Sequence, residues 1–106
     1  MCGCSSITEF PDPDNSYTAE VTYKKLVKDY PFINIASRDL PESVAEHKNL
    51  TYVNYGRRAL QLDLYQPKNS KHKTPLVVLV HGGGWMHGYR QNLAPLAMGL
   101  AKNGYA

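Results

Sequence analysis

The chain has 106 residues, of which 42% are hydrophobic and 20% charged, and its formal net charge is +3. This length corresponds to about one small domain, and the composition is ordinary for a globular protein. The 12 basic residues are scattered along the chain and form no dense stripe, which argues against a nucleic-acid partner. No apolar run approaches the roughly 20 residues that a membrane-spanning helix needs.

Residues 1–17 have the composition of a flexible tether, with prolines, aspartates and serines. The two cysteines, Cys2 and Cys4, are too close together for an ordinary structural disulfide and too few for a zinc site. We interpret "CGCSS" as the start of a bacterial lipoprotein in which Cys2 or Cys4 carries the lipid. The protein would then lie at the cell envelope, in the periplasm or on the cell surface, attached by that lipid alone. The apolar region of a signal peptide is absent, and the alternative is a polar terminus with two incidental thiols.

Residues 18–47 form the next segment, which we predict to be helical. Tyr23, Leu26, Val27 and Tyr30 recur at helical spacing, and a proline follows them directly. The sequence Pro-Glu-Ser at 41–43 predicts a second, short helical turn that runs to about residue 47.

Residues 48–106 show the pattern of an α/β domain. Alternating apolar residues predict strands at 50–55 and 59–66, joined by a short hairpin connection at 56–58. Residues 76–80 ("LVVLV") are apolar at every position, which predicts a strand covered on both faces in the middle of a mostly parallel sheet.

A helix is predicted after the glycines, with Asn92 as its N-cap, Pro95 in its first turn and Gly104 at the C′ position. Its predicted apolar face consists of Leu93, Leu96, Ala97, Leu100 and Ala101. The final "YA" predicts the start of a second parallel strand. We therefore predict an α/β protein in which an antiparallel hairpin leads into a mostly parallel sheet flanked by helices. The chain supplies only part of such a sheet, so we expect it to be the N-terminal piece of a longer protein.

Three consecutive glycines follow the predicted central strand, in "HGGGWMHG" at 81–88. Ligands of open α/β sheets bind beyond the carboxyl ends of the strands, and glycines expose peptide N–H groups that bind an anion or a developing oxyanion. The dinucleotide-binding pattern fails because the sixth residue from Gly82 is His87. The phosphate-loop pattern fails because Gly88 precedes Tyr89 rather than lysine.

"HGGGW" after a strand and before a helix resembles the oxyanion loop of α/β-hydrolase esterases and lipases, and "HGGGWMHG" resembles the form seen in carboxylesterase-like enzymes. These include bacterial acetyl and feruloyl esterases that act on plant cell-wall polysaccharides. The resemblance covers about residues 48–106. It implies that Gly83 and Gly84 donate their backbone N–H groups to the oxyanion and that His81 and Gly82 orient the loop. It leaves Trp85 either packed under the loop or lining the substrate pocket.

The resemblance implies a serine nucleophile in Gly-x-Ser-x-Gly, followed by an acidic residue and a histidine, and none of these motifs is present in the 106 residues. It implies no cofactor, and a metal pair of His81 and His87 lacks a third ligand. We expect the chain to be part of a serine-dependent carboxylic ester hydrolase whose substrate is a small-molecule or carbohydrate ester, and to be inactive alone. Two alternatives remain open: an amidase or peptidase on the same fold, and a non-catalytic truncated product or binding module.

Overall fold

The computed structural model describes residues 18–106. Within this range the elements follow the order helix, hairpin, 3₁₀ turn and helix. They are α1 (Ala19–Leu26), β1 (Val44–Tyr55), β2 (Arg58–Pro67), a 3₁₀ helix (Arg90–Leu93) and α2 (Ala94–Lys102). None of the helices in residues 18–106 has the length and apolar character needed to cross a bilayer.

Helix α1 begins where the sequence places it and ends earlier than predicted. The Thr18 hydroxyl caps it by accepting a hydrogen bond from the Val21 N–H at 3.2 Å. Hydrogen bonds from its own backbone and from Thr18 hold the pKa of Glu20 below its usual value. The helix buries none of its residues, so packing does not extend it, and the chain leaves it through tight turns after Leu26.

The predicted helical turn is limited to 41–44, where the Val44 N–H donates to the Pro41 carbonyl at 3.0 Å, and its extension to 47 is wrong because β1 begins at Val44. Val44 pairs with Pro67 and His47 pairs with Leu64, so the cross-strand ladder replaces the local helical signal. Both strands of the hairpin are therefore longer than predicted, and the strand already begins within the segment predicted to be helical.

The hairpin itself is confirmed. β1 and β2 are antiparallel, and the last pair before the turn is Tyr55 with Arg58. Gly56 has φ +58°, a value that glycine adopts without strain and that tight hairpin turns require.

A β-bulge interrupts the ladder in the middle of β1. His47 pairs with Leu64 and the next pair is Leu50 with Leu62, so Lys48 and Asn49 together lie opposite the single residue Asp63. Asn49 is one of two non-glycine residues in the described chain with positive φ, at +59°. The bulge therefore turns the backbone at the position facing Asp63.

The core lies where α2 packs against the end of the hairpin. Val44, Tyr65, Met98 and Ala101 are buried, and Ala94 and Ala97 pack around them. Leu96, predicted on the buried face of the helix, is instead 53% exposed, because Met98 supplies the contact with the hairpin.

The prediction for the N-terminus of α2 is partly wrong, and the prediction for its C-terminus is confirmed. Asn92 is not the N-cap, since it lies inside the 3₁₀ helix that precedes α2, and Leu93 occupies the cap position. Pro95 is in the first turn, as predicted. Gly104 has φ +91° and donates to the Ala101 carbonyl, while the Tyr105 N–H donates to the Leu100 carbonyl. This pair of bonds is a Schellman motif and confirms Gly104 at C′.

Residues 76–80 do not form the predicted buried strand within the described chain. Val80 is 84% exposed, and neither face is covered. A strand needs neighbours, and within residues 18–106 the backbone hydrogen bonds of this segment lead to Ala106: the Ala106 N–H donates to the Pro75 carbonyl, and the Ala106 carbonyl accepts from the Val77 N–H. One residue bonded to both neighbours of Leu76 is the pattern of parallel strands. Two strands and two helices are too few to define the fold class, which stays a prediction.

Candidate active site

The glycine loop, residues 81–88, lies between the 76–80 segment and the 3₁₀ helix and folds back on itself. The Gly83 carbonyl accepts hydrogen bonds from the Met86 N–H at 3.1 Å and from the His87 N–H at 3.0 Å. Gly84 and Trp85, at the centre of this turn, have φ values of +59° and +60°. Two successive residues with such φ values produce a tight turn, and glycine adopts these values most easily, as Gly84 does here.

Two glycines are required by close approach as well as by backbone angle. Gly83 has φ +141°, and a Cβ there would overlap the His87 carbonyl oxygen. Gly88 has φ +99°, and a Cβ there would overlap the Gly82 carbonyl oxygen and lie 2.9 Å from Nδ1 of His81. The beginning and the end of the loop therefore touch, and any larger side chain at either position would force them apart.

The N–H groups of the two predicted oxyanion donors have no backbone hydrogen-bond partner in the described part of the chain. Within residues 18–106, neither the Gly83 N–H nor the Gly84 N–H donates to a backbone carbonyl, although the Gly83 carbonyl is occupied twice. Both residues are exposed. Adjacent peptide N–H groups with no competing acceptor are suited to bind an anion or a developing oxyanion.

His81 bonds to the loop that it begins. Its Nδ1 lies 2.9 Å from the Gly82 carbonyl oxygen. Since a carbonyl only accepts, Nδ1 carries the proton and donates it. This is the contact expected of a loop-orienting histidine, a role that stays a prediction. Within the described residues, no group of three or more His, Cys, Asp or Glu side chains is arranged to hold a metal ion.

Trp85 projects from the tip of the loop. Its side chain is fully exposed, so within residues 18–106 it is not packed under the loop. A role for the indole in lining the substrate pocket stays a prediction. A non-glycine residue at φ +60° carries backbone strain, which is concentrated at functional sites in many proteins.

A polar cluster that was not predicted from the sequence joins the start of the 3₁₀ helix to the two strands of the hairpin. We call it the Asp63 cluster; it consists of Asp63 on β2, Asn49 in the bulge of β1 and Arg90 at the start of the 3₁₀ helix. Arg90 Nε donates to Asp63 Oδ1 at 2.9 Å, Arg90 Nη2 donates to Asn49 Oδ1, and the Asn49 N–H donates to Asp63 Oδ1 at 2.9 Å. The Asp63 side chain is 5% exposed.

The alternation of β2 gives no signal for this cluster, because it places Leu62 and Leu64 on one face and Asp63 on the other. In the structure the face of Asp63 also carries Tyr65, which is buried. A carboxylate on a buried face needs a cation or several donors. Nothing in the spacing identifies Arg90, 27 residues away, as that partner.

The predicted lipid-carrying residues, Cys2 and Cys4, and the tether at 1–17 lie outside the described residues.

Comparison with protein families gives one match, which covers the glycine loop. Residues 62–106 match the BD-FAE family, a family of esterase-like (feruloyl esterase) domains in the α/β-hydrolase group. The match spans less than half of the chain and indicates an esterase-like function at the family level. Searches of curated proteins and of solved structures give no match.

Proposed function

We propose that this chain carries the oxyanion-binding loop of a serine-dependent carboxylic ester hydrolase. The observation that carries the proposal is the turn at Gly83, which uses the Gly83 carbonyl internally and leaves the N–H groups of Gly83 and Gly84 without a backbone acceptor. The esterase-like family match over residues 62–106 includes this turn and supports the same assignment.

In the proposed reaction the serine of a Gly-x-Ser-x-Gly motif, which is not among these 106 residues, attacks the ester carbonyl, and a histidine accepts its proton. The carbonyl oxygen becomes an oxyanion, and the N–H groups of Gly83 and Gly84 donate hydrogen bonds to it. The alcohol leaves with a proton from the histidine, and water then hydrolyses the acyl-enzyme by the same route. The chain's own part is to hold these donors in place before the charge develops, which is why they stabilise the transition state.

The proposed fold is an α/β-hydrolase, with the hairpin β1–β2 leading into a parallel sheet. The parallel bonding of Ala106 to Pro75 and Val77 supports this proposal. It would place residues 76–80 beside a strand that follows α2, with the glycine loop at the carboxyl end of 76–80. The large exposed side chains Leu76, Val78 and Val80 would be covered by the rest of such a sheet.

For the substrate we propose an acetyl or feruloyl ester of a plant cell-wall carbohydrate. The feruloyl-esterase character of the matched family supports this class. The fully exposed indole of Trp85 is a suitable contact for an aromatic acyl group or a sugar ring.

The test uses the product of the complete reading frame that contains this chain. We expect it to react with a labelled fluorophosphonate, which requires an activated serine, and to hydrolyse 4-nitrophenyl acetate and methyl ferulate. Anilides with the same acyl groups are the control, since an amidase would cleave them at comparable rates. An absence of labelling, with folded protein, would contradict the proposal and favour a non-catalytic binding module.

We also propose that the protein is lipid-anchored at Cys2 or Cys4. Mass spectrometry of the N-terminal peptide from the native host is expected to show a diacylglycerol adduct on one of the two thiols. Two unmodified thiols would contradict the anchor without bearing on the esterase.

A further inference from the structure

The chain leaves the glycine loop through Tyr89 and enters the 3₁₀ helix at Arg90. The Arg90 side chain connects this exit of the loop to the hairpin. Its guanidinium bridges two strands, through Nε to Asp63 on β2 and through Nη2 to Asn49 on β1. Gly88, two residues before Arg90, is in contact with the start of the loop at Gly82 and His81. Arg90 therefore lies two residues from the point where the two ends of the loop approach each other.

The bulge in β1 is what makes this connection. The bulge places two residues of β1, Lys48 and Asn49, opposite the single residue Asp63 of β2 and so interrupts the regular ladder. The Asn49 N–H donates to the Asp63 carboxylate instead of to a strand carbonyl. Asn49 adopts φ +59° to do so. Strained residues of this kind persist where the surrounding contacts fix them, and bulges are frequent beside active sites.

The cluster is better suited to fixing geometry than to adding stability. The Asp63 carboxylate is 5% exposed and Oδ2 has no hydrogen-bond partner within residues 18–106. Burying an ion pair is expensive, and replacement by uncharged groups is often neutral or stabilising. A planar guanidinium that contacts two strands at once, however, fixes a direction that a neutral or flexible side chain does not.

We propose that Asp63, Arg90 and Asn49 are positioning residues for the oxyanion loop, and that Arg90 sets the orientation of the Gly83 and Gly84 N–H groups by holding the loop exit on the hairpin. This inference rests on the proposed esterase function. It assigns these residues no contact with the substrate.

The test compares variants of the complete gene product. Arg90→Lys keeps the charge but lacks the planar guanidinium that makes the two contacts from two separate nitrogens. The double variant Asp63→Asn/Arg90→Gln removes both charges together, so that no buried carboxylate is left unpaired. Lys48→Gln is the matched control: it removes a cation from the same hairpin, where Lys48 pairs with Glu46 at 3.1 Å and does not join the cluster. Unfolding temperature, kcat per fluorophosphonate-titrated site, KM and the inhibition constant of an alkyl trifluoromethyl ketone are measured for each.

We expect both cluster variants to fold and to lose roughly 10- to 100-fold in kcat with little change in KM, since a misplacement of about 1 Å costs up to about 100-fold. The ketone forms a tetrahedral oxyanion adduct, so its affinity is expected to fall in parallel with kcat/KM, whereas a merely structural role would lower the unfolding temperature alone. Unchanged kcat and ketone affinity in the folded double variant, or equal losses in Lys48→Gln, would overturn the inference. A wild-type protein that neither labels nor hydrolyses esters would instead overturn the proposed function on which it rests.

Discussion

Adding a single methyl group at Gly83 tests the loop geometry most directly. Gly83→Ala meets two obstacles. The backbone angle of φ +141° is one that L-residues rarely adopt, at a cost of about 1–3 kcal/mol. The new Cβ would also lie 1.7 Å from the His87 carbonyl oxygen, whereas real Cβ atoms essentially never come within 3.0 Å of such an atom.

These two distances give the size of the effect. The loop must open by more than about 1 Å between Gly83 and His87 to relieve the overlap, and a displacement of about 1 Å already costs about 100-fold in rate. Loss of one oxyanion donor costs about 10²–10³-fold, so we expect kcat to fall by about 100-fold, equivalent to about 2.7 kcal/mol of transition-state stabilisation.

The neighbouring glycines provide matched controls in the same assay, which is kcat on 4-nitrophenyl acetate per fluorophosphonate-titrated site of the complete gene product. Gly82→Ala places its Cβ in open space without positive φ, so kcat should stay within about threefold of wild type, as for a surface substitution. Gly84→Ala also has open space but φ +59°, and should lose about 1–2 kcal/mol of stability with less effect on kcat. If Gly83→Ala and Gly82→Ala have equal kcat, the loop geometry does not control the reaction.

Two further predictions concern binding and stability. Trp85→Ala should change stability by no more than about 0.5 kcal/mol, because the indole is fully exposed. It should raise KM for methyl ferulate by about 2- to 10-fold, but not KM for 4-nitrophenyl acetate, which has no aromatic acyl group. Met86→Ala, at an exposed neighbour, is the control, and equal KM values for both variants would exclude a contact with the acyl group. Burial and a hydrogen bond to Glu46 raise the pKa of Tyr65 to about 12. The unfolded tyrosine loses its proton near pH 10 while the folded one keeps it, so urea unfolding should show about 1.4 kcal/mol less stability at pH 11 than at pH 8 from this group, a loss absent in Tyr65→Phe.

Local patterns predicted the elements that local contacts build. The alternation of residues 59–66 gave the hairpin because both strands find their partner within the same short stretch of chain. Gly104 was predictable at C′ because the Schellman bonds involve only residues within a few positions of it. In both cases the residue types decide the backbone angles before any distant packing is formed.

The errors arise where distant pairing decides. The helical signal at 41–47 is overridden by β2, whose pairing extends β1 back to Val44. The burial predicted for 76–80 depends on strands and helices around it, and in the described chain its backbone hydrogen bonds lead to Ala106, at the end of residues 18–106. An apolar run specifies that a segment will be covered when neighbours are present, not which residues supply the cover.

The glycine loop combines a local and a distant determinant, and only the first can be read from its motif. The turn at Gly83 and the contact of Gly88 with Gly82 are built from residues within "HGGGWMHG", so the same string after another strand should form the same turn. The direction in which that turn presents its N–H groups depends on where the loop exit is attached. Here the attachment runs through Arg90 to Asp63, at a bulge that no spacing rule indicates. Oxyanion stabilisation requires donors aimed at one point, and the motif alone is therefore not sufficient for such a site.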